Sequence, residues 1–148
     1  MYIMDNLVTL IKLSTVHLYV NISKKIITFD VLSSDYNKDN FITVLEYFKN
    51  FWLLAKEQGV SYFLIIQISA IGIYPLGFYN SLIYNLNELD HIFEKHMHSC
   101  YFLCKDDSLL MMLKPILNVY KFKRPLKICN TLEEIYVHFN KPENKLSI

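Results

Sequence analysis

The stretch Ser61-Tyr62-Phe63-Leu64-Ile65-Ile66-Gln67-Ile68-Ser69-Ala70-Ile71-Gly72-Ile73-Tyr74-Pro75-Leu76-Gly77 decides the fold. Its first half is a nearly continuous apolar run of strand length, as expected of a strand covered on both faces. The second half reads as a loop and then the start of a helix. In an open α/β sheet, function usually sits at the turn after a central strand. This turn carries no acid, no His, no Lys and no glycine-rich cradle, so it has the position of a working end without the chemistry.

On the amino-terminal side, Val16-His17-Leu18-Tyr19-Val20-Asn21 and Lys25-Ile26-Ile27-Thr28-Phe29-Asp30-Val31 are rich in β-branched and aromatic residues. The short break Ile22-Ser23-Lys24 makes them a predicted β-hairpin. Leu7 to Leu13 alternates only in part and reads as either an edge strand or a short helix. A 3.6-residue stripe over Phe41, Val44, Leu45, Phe48, Trp52 and Ala55 predicts a helix, with Gly59 in the C′ place. A second helix is expected from about Phe78 to Lys95, on Tyr79, Leu82, Ile83, Leu86, Leu89 and Phe93. Ser99 to Cys104 is the next strand. Asp106, Asp107 and Ser108 cap a third helix over Leu109, Leu110, Leu113, Ile116 and Leu117, which Pro115 kinks or shortens. Pro125 to Cys129 is the last strand. Thr131-Leu132-Glu133-Glu134 then matches a capping box, with Thr131 as N-cap and Glu134 at N3. Leu132, Ile135, Tyr136 and Phe139 mark the closing helix.

These elements predict an α/β fold: a mixed, mostly parallel sheet of about 4–5 strands with an N-terminal β-hairpin and four helices. A length of 148 residues suits one domain over 1–148, with its core at about 16–140. Hydrophobic residues make up 53% and charged residues 20%, which excludes a disordered chain. A net charge of +1, without a basic stripe, gives no reason to expect nucleic acid. No apolar run reaches the ~20 residues of a spanning helix, and no signal peptide is evident. Three cysteines, an odd number, argue against a disulfide framework and for a reducing, cytoplasmic compartment. The abundance of Ile, Asn, Lys, Tyr and Phe with few glycines suits an AT-rich genome, which leaves a virion component open.

The element order resembles the STAS fold of bacterial anti-sigma-factor antagonists and of the cytoplasmic tails of sulfate transporters. The resemblance covers roughly Val16 to Asn140. It rests on Ile27-Thr28-Phe29-Asp30-Val31-Leu32 before the first helix, on Leu64-Ile65-Ile66-Gln67-Ile68-Ser69, and on Leu126-Lys127-Ile128-Cys129-Asn130-Thr131-Leu132-Glu133-Glu134 at the close. Signalling members of that family carry an Asp-Ser-Ser-Gly turn with a phosphorylated serine. Here Tyr74-Pro75-Leu76-Gly77 stands in its place, so the phosphoacceptor is absent and the family's switch does not carry over.

His91, His96, His98, Cys100 and Cys104 are the main cluster of metal-type ligands. Zinc ligands usually come as well-separated pairs, and this cluster crosses from a helix end into a strand. Buried thiols and histidines at a helix C-terminus are the simpler account, so no metal and no cofactor is expected. Asp106-Asp107 and Glu133-Glu134 suit helix caps better than acid–base catalysis. Gly72 and Gly77 make no phosphate loop, since no Gly-Lys-Ser/Thr follows.

One surface expectation remains. Ile73, Tyr74, Pro75, Leu76, Phe78 and Tyr79, in or beside the loop, are apolar and either fold back as core or form a contact patch. The leading expectation is a non-enzymatic protein–protein interaction or structural module that binds through this loop, to a protein partner or to itself. The alternatives are an apolar-ligand (lipid) binding protein and a viral structural or accessory protein.

Overall fold

The computed structural model describes residues 7–33, 35, 37–69, 76–105, 107, 111 and 126–139. Leu7–Lys12 (β1) pairs antiparallel with Val16–Asn21 (β2), which pairs antiparallel with Ile26–Val31 (β3). The β2–β3 turn is closed by Asn21, whose Oδ1 accepts from the Lys24 backbone N–H and from the Ser23 hydroxyl, both at 3.0 Å. Lys25 takes the left-handed conformation, at φ 58°. Segment 7–12 is thus a strand, and it raises the sheet to six strands rather than the expected four or five. The ambiguity had a physical source: a bulge between Thr9 and Ile11 breaks the alternation that identifies a strand.

The rest of the sheet is parallel. Lys38–Gln58 (α1) leads to Tyr62–Ile68 (β4). Leu76–Glu88 (α2) and Asp90–His96 (α3) lead to Met97–Cys104 (β5), and Leu126–Cys129 (β6) precedes Leu132–Phe139 (α4). The strands lie in the order β1-β2-β3-β4-β5-β6 without reversal, and β3 to β6 run parallel. Of the expected third helix, Asp107 and Met111 are described, both in helical conformation, and the rest of 109–117 lies outside the described residues.

Local chemistry sets the helix ends. Asn37 caps α1 by accepting the Asn40 N–H at 3.0 Å, and Gly59 ends it at φ 67°, with its N–H on the Ala55 and Lys56 carbonyls. Thr131 Oγ1 accepts the Glu134 N–H at 3.3 Å, which is the capping bond expected before α4. The helix expected over 78–95 is two helices. Leu89, at φ −91° and ψ 0° and only 2% exposed, bends the chain between α2 and α3. The bend keeps Ile92 and Phe93 in the same core as Leu86 and Leu89.

Each crossover from β3 to β5 advances one strand in the same direction. Right-handed connections therefore place α1, α2 and α3 on one face. All six α1 stripe residues are buried there, against Leu18, Phe29, Ile66 and Phe102. On the other face α4 buries Ile135 among Ile26, Phe63, Ile65, Tyr101, Leu103 and Cys129. Leu132 and Tyr136 of the expected α4 stripe remain 38% and 39% exposed, so Ile135 is its anchor.

An aromatic seam joins α1 to its neighbours. Trp52 is fully buried and meets Phe93, Phe51, Phe48 and Tyr62 edge-on, at centroid distances of 5.1, 5.4, 6.2 and 6.4 Å. Phe48 meets Phe29 of β3 edge-on at 5.6 Å. The Trp52 indole N–H has no hydrogen-bond partner among the described residues.

Trp52→Ala is expected to cost about 3–5 kcal/mol in urea unfolding, as for other large aromatic truncations. As the single tryptophan, Trp52 should emit at short wavelength in the native chain and shift red on unfolding. Gly59→Ala should cost about 1–2 kcal/mol from the left-handed backbone, because a Cβ there meets no atom within 4 Å. A native-like midpoint for either variant would contradict the packing described.

Candidate functional site

The structure divides the expected contact patch. Ile73, Tyr74 and Pro75 lie outside the described residues, as does the Leu76 side chain at the head of α2. Phe78 and Tyr79 are 2% and 3% exposed, so these two belong to the core and not to a contact surface. Phe78 lies 5.1 Å from the Phe41 ring and 5.2 Å from Tyr79. The reason is periodicity: with α2 beginning at Leu76, positions 78, 79, 82 and 86 share the stripe that faces the sheet. The strand order also matters. A ligand crevice at strand ends forms where the order reverses, and this sheet has no reversal.

Polar side chains gather where the far face of the sheet is not apolar. His17, Asp30 and Gln67 are register partners across β2, β3 and β4. The Ser69 hydroxyl donates to Asp30 Oδ1 at 2.8 Å, and Gln67 Nε2 donates to Ser69 Oγ at 3.2 Å. His17 Nε2 lies 3.0 Å from Thr9 Oγ1. Partial burial pushes the Asp30 carboxyl above its ordinary range, against the Ser69 hydrogen bond and the nearby imidazole, which pull it down. Burial and Lys12 push His17 below its ordinary range, and Asp30 opposes them. Ser69 thus meets a carboxylate directly, with no imidazole between them, and a carboxylate is a poor base for a serine hydroxyl. The cluster ties the end of β4 to β3. The sequence reading missed it because alternating polar positions in β2 and β3 look like an ordinary solvent face.

The histidines and cysteines do not converge. One extra residue between Met97 and Cys100, opposite Tyr62 and Leu64, places both Met97 and Cys100 on the α1–α3 face. His98 instead stacks on Phe63, a residue of the α4 face, at 4.5 Å. Cys100, Phe102 and Cys104 share the α1–α3 face, whereas Cys129 lies on the other. Burial pushes the Cys100 and Cys129 thiols up, which disfavours reactive thiolate. Among the described residues no three His, Cys, Asp or Glu side chains are grouped to hold a metal ion.

A groove of about 560 Å³ lies between α1 and α2. Ile42, Leu45 and Lys49 line one wall and Ser81, Tyr84 and Glu88 the other. Both sets are spaced i, i+3, i+7, so each helix offers one stripe about 10 Å long, at 1.5 Å per residue. Tyr84 is 64% exposed and Ile42 is 41% exposed. The sequence reading followed only the stripes facing the sheet, and so passed over these flanks.

Comparison with protein-family models, curated proteins and solved structures finds no match for this chain.

Asp30→Asn keeps an acceptor for the Ser69 hydroxyl and removes the charge. The raised native pKa means that ionised Asp30 costs stability, and this cost is absent below the ordinary carboxylate range. It grows as pH rises through the native value. The variant should therefore be more stable than the parent at pH 7, and the two should converge near pH 3. Urea midpoints at both pH values check this, and an equal difference at both would refute the burial of Asp30.

Proposed function

We propose that this chain is a non-enzymatic protein–protein interaction module that holds a helical segment of a partner protein between α1 and α2. The observation that carries this reading is the pair Tyr84 and Ile42, both exposed, on opposite walls of a groove of helical length. Tyrosine in such a place is a frequent source of binding energy. Paired i, i+3, i+7 walls suit an inserted amphipathic helix. The resemblance to STAS domains supports a binding role over catalysis, and the absent phosphoacceptor favours a constitutive contact over a phosphorylation switch. Asp30 and Ser69 without a bridging base add no nucleophile.

An apolar-ligand role draws less support. The groove lining includes Glu46, Lys49, Asn80, Asn85 and Glu88, a costly set of walls for an alkyl chain. Composition alone supports a viral origin.

The test is selection of binders from a random 16-residue peptide display library on the immobilised full chain. Tyr84→Ala should weaken the recovered binders about 30-fold, the loss of about 2 kcal/mol typical of a hot-spot residue. Ile42→Lys should weaken them as well, while both variants keep native Trp52 emission. Binding indifferent to both substitutions would sink the reading. Binders that match a segment of this chain would identify the occupant as a second copy.

A further inference from the structure

Charge on the groove walls points to the chemistry of the occupant, an inference that rests on the groove being the docking site. The α2 wall carries one ionisable acid or base, the carboxylate of Glu88, and no basic residue stands in the last turn of α2. The α1 wall carries Glu46 and Lys49, one helical turn apart. The lining therefore holds two carboxylates and one ammonium. Among the described residues, neither Glu46 nor Glu88 is given an ion-pair partner by the fold. The exposed ring of Tyr84 stands four residues before Glu88, one turn along the same wall, and presents a π face that attracts cations. The side-chain amides of Asn80 and Asn85 add hydrogen-bonding capacity without charge; Asn85 Nδ2 donates to the Ser81 carbonyl at 2.8 Å.

We propose that the occupant is a basic amphipathic helix. Its apolar residues would sit over Ile42, and a Lys or Arg would lie between the Glu46 and Glu88 carboxylates and against the Tyr84 ring. A cation there meets two carboxylates, of which the single Lys49 ammonium offsets one at most. An acidic helix would add to them, so the lining selects by repulsion as well as by attraction. Arginine suits the position better than lysine, because a planar guanidinium both stacks on an aromatic ring and forks onto a carboxylate.

The display selection decides this as well. The recovered binders should carry Lys or Arg one turn from an apolar anchor. A synthetic peptide of the enriched sequence should bind at least tenfold more weakly to Glu88→Lys than to the parent chain. Its affinity should also fall as salt rises from about 50 to 500 mM, where screening removes charge attraction. Replacing its basic residues with Glu should abolish binding. Enriched peptides that are neutral or acidic, yet lose affinity with Tyr84→Ala, would overturn the basic-helix inference and leave the groove reading intact. Peptides insensitive to Tyr84→Ala, Ile42→Lys and Glu88→Lys alike would remove both. Native Trp52 emission in each variant keeps a folding defect from passing as either result.

Discussion

The edge-to-face packing of Trp52 and Phe48 on α1 against Phe29, Tyr62 and Phe93 is the contact on which the rest of the structure depends. These rings join β3, α1, β4 and α3, which are the elements of two successive crossovers. Aromatic residues are large and have few rotamers, so a seam built from them fixes spacing as well as contributing burial. With α1 held at this height, α2 meets it at Phe41 and Phe78, and a groove opens along the flanks of the two helices. Among the described residues, most of the aromatic side chains are buried, where smaller apolar residues would be usual.

The monotonic strand order has consequences for function. It sends three helices to one face and leaves α4 to cover part of the other. Among the described residues the strand order contains no reversal, the place where open α/β sheets form a crevice at their strand ends. Among the described residues, the part of the far face away from α4 carries polar side chains, and Asp30, Ser69 and Gln67 satisfy one another there. Exposed apolar and aromatic groups occur on the α1–α2 flank, at Ile42 and Tyr84, and also elsewhere on the described surface, at Leu7, Leu54 and Val137.

Positions where the sequence reading and the structure part company share a cause. Segment 7–12 hides its strand character because a bulge interrupts the alternation. The helix over 78–95 looks continuous because Leu89 is apolar on both sides of the bend, and nothing local marks a break at a buried leucine. Phe78 and Tyr79 stand at the expected helix start beside the loop, where the sequence leaves both a core and a contact-surface reading open. A start at Leu76 turns both inward. The His91–Cys104 run looks like a ligand set in one dimension, and a single extra residue in β5 sends His98 and Cys100 to opposite faces.

The sequence by itself determined the alternation of strands and helices, the α1 stripe, and the terminating and capping roles of Gly59 and Thr131. It also marked β4 as a strand buried on both sides. All of these follow from local periodicity and from backbone preferences carried by a few neighbouring residues. Only the tertiary structure decided the strand order, the face on which each thiol lies, the contact between Ser69 and Asp30 across 39 residues, and the groove that Ile42 of α1 and Tyr84 of α2 both line. Those features depend on how separate elements are brought together. Which flank of an amphipathic helix stays open is set by the neighbour it packs against, and that neighbour is fixed by the packing of the aromatic seam.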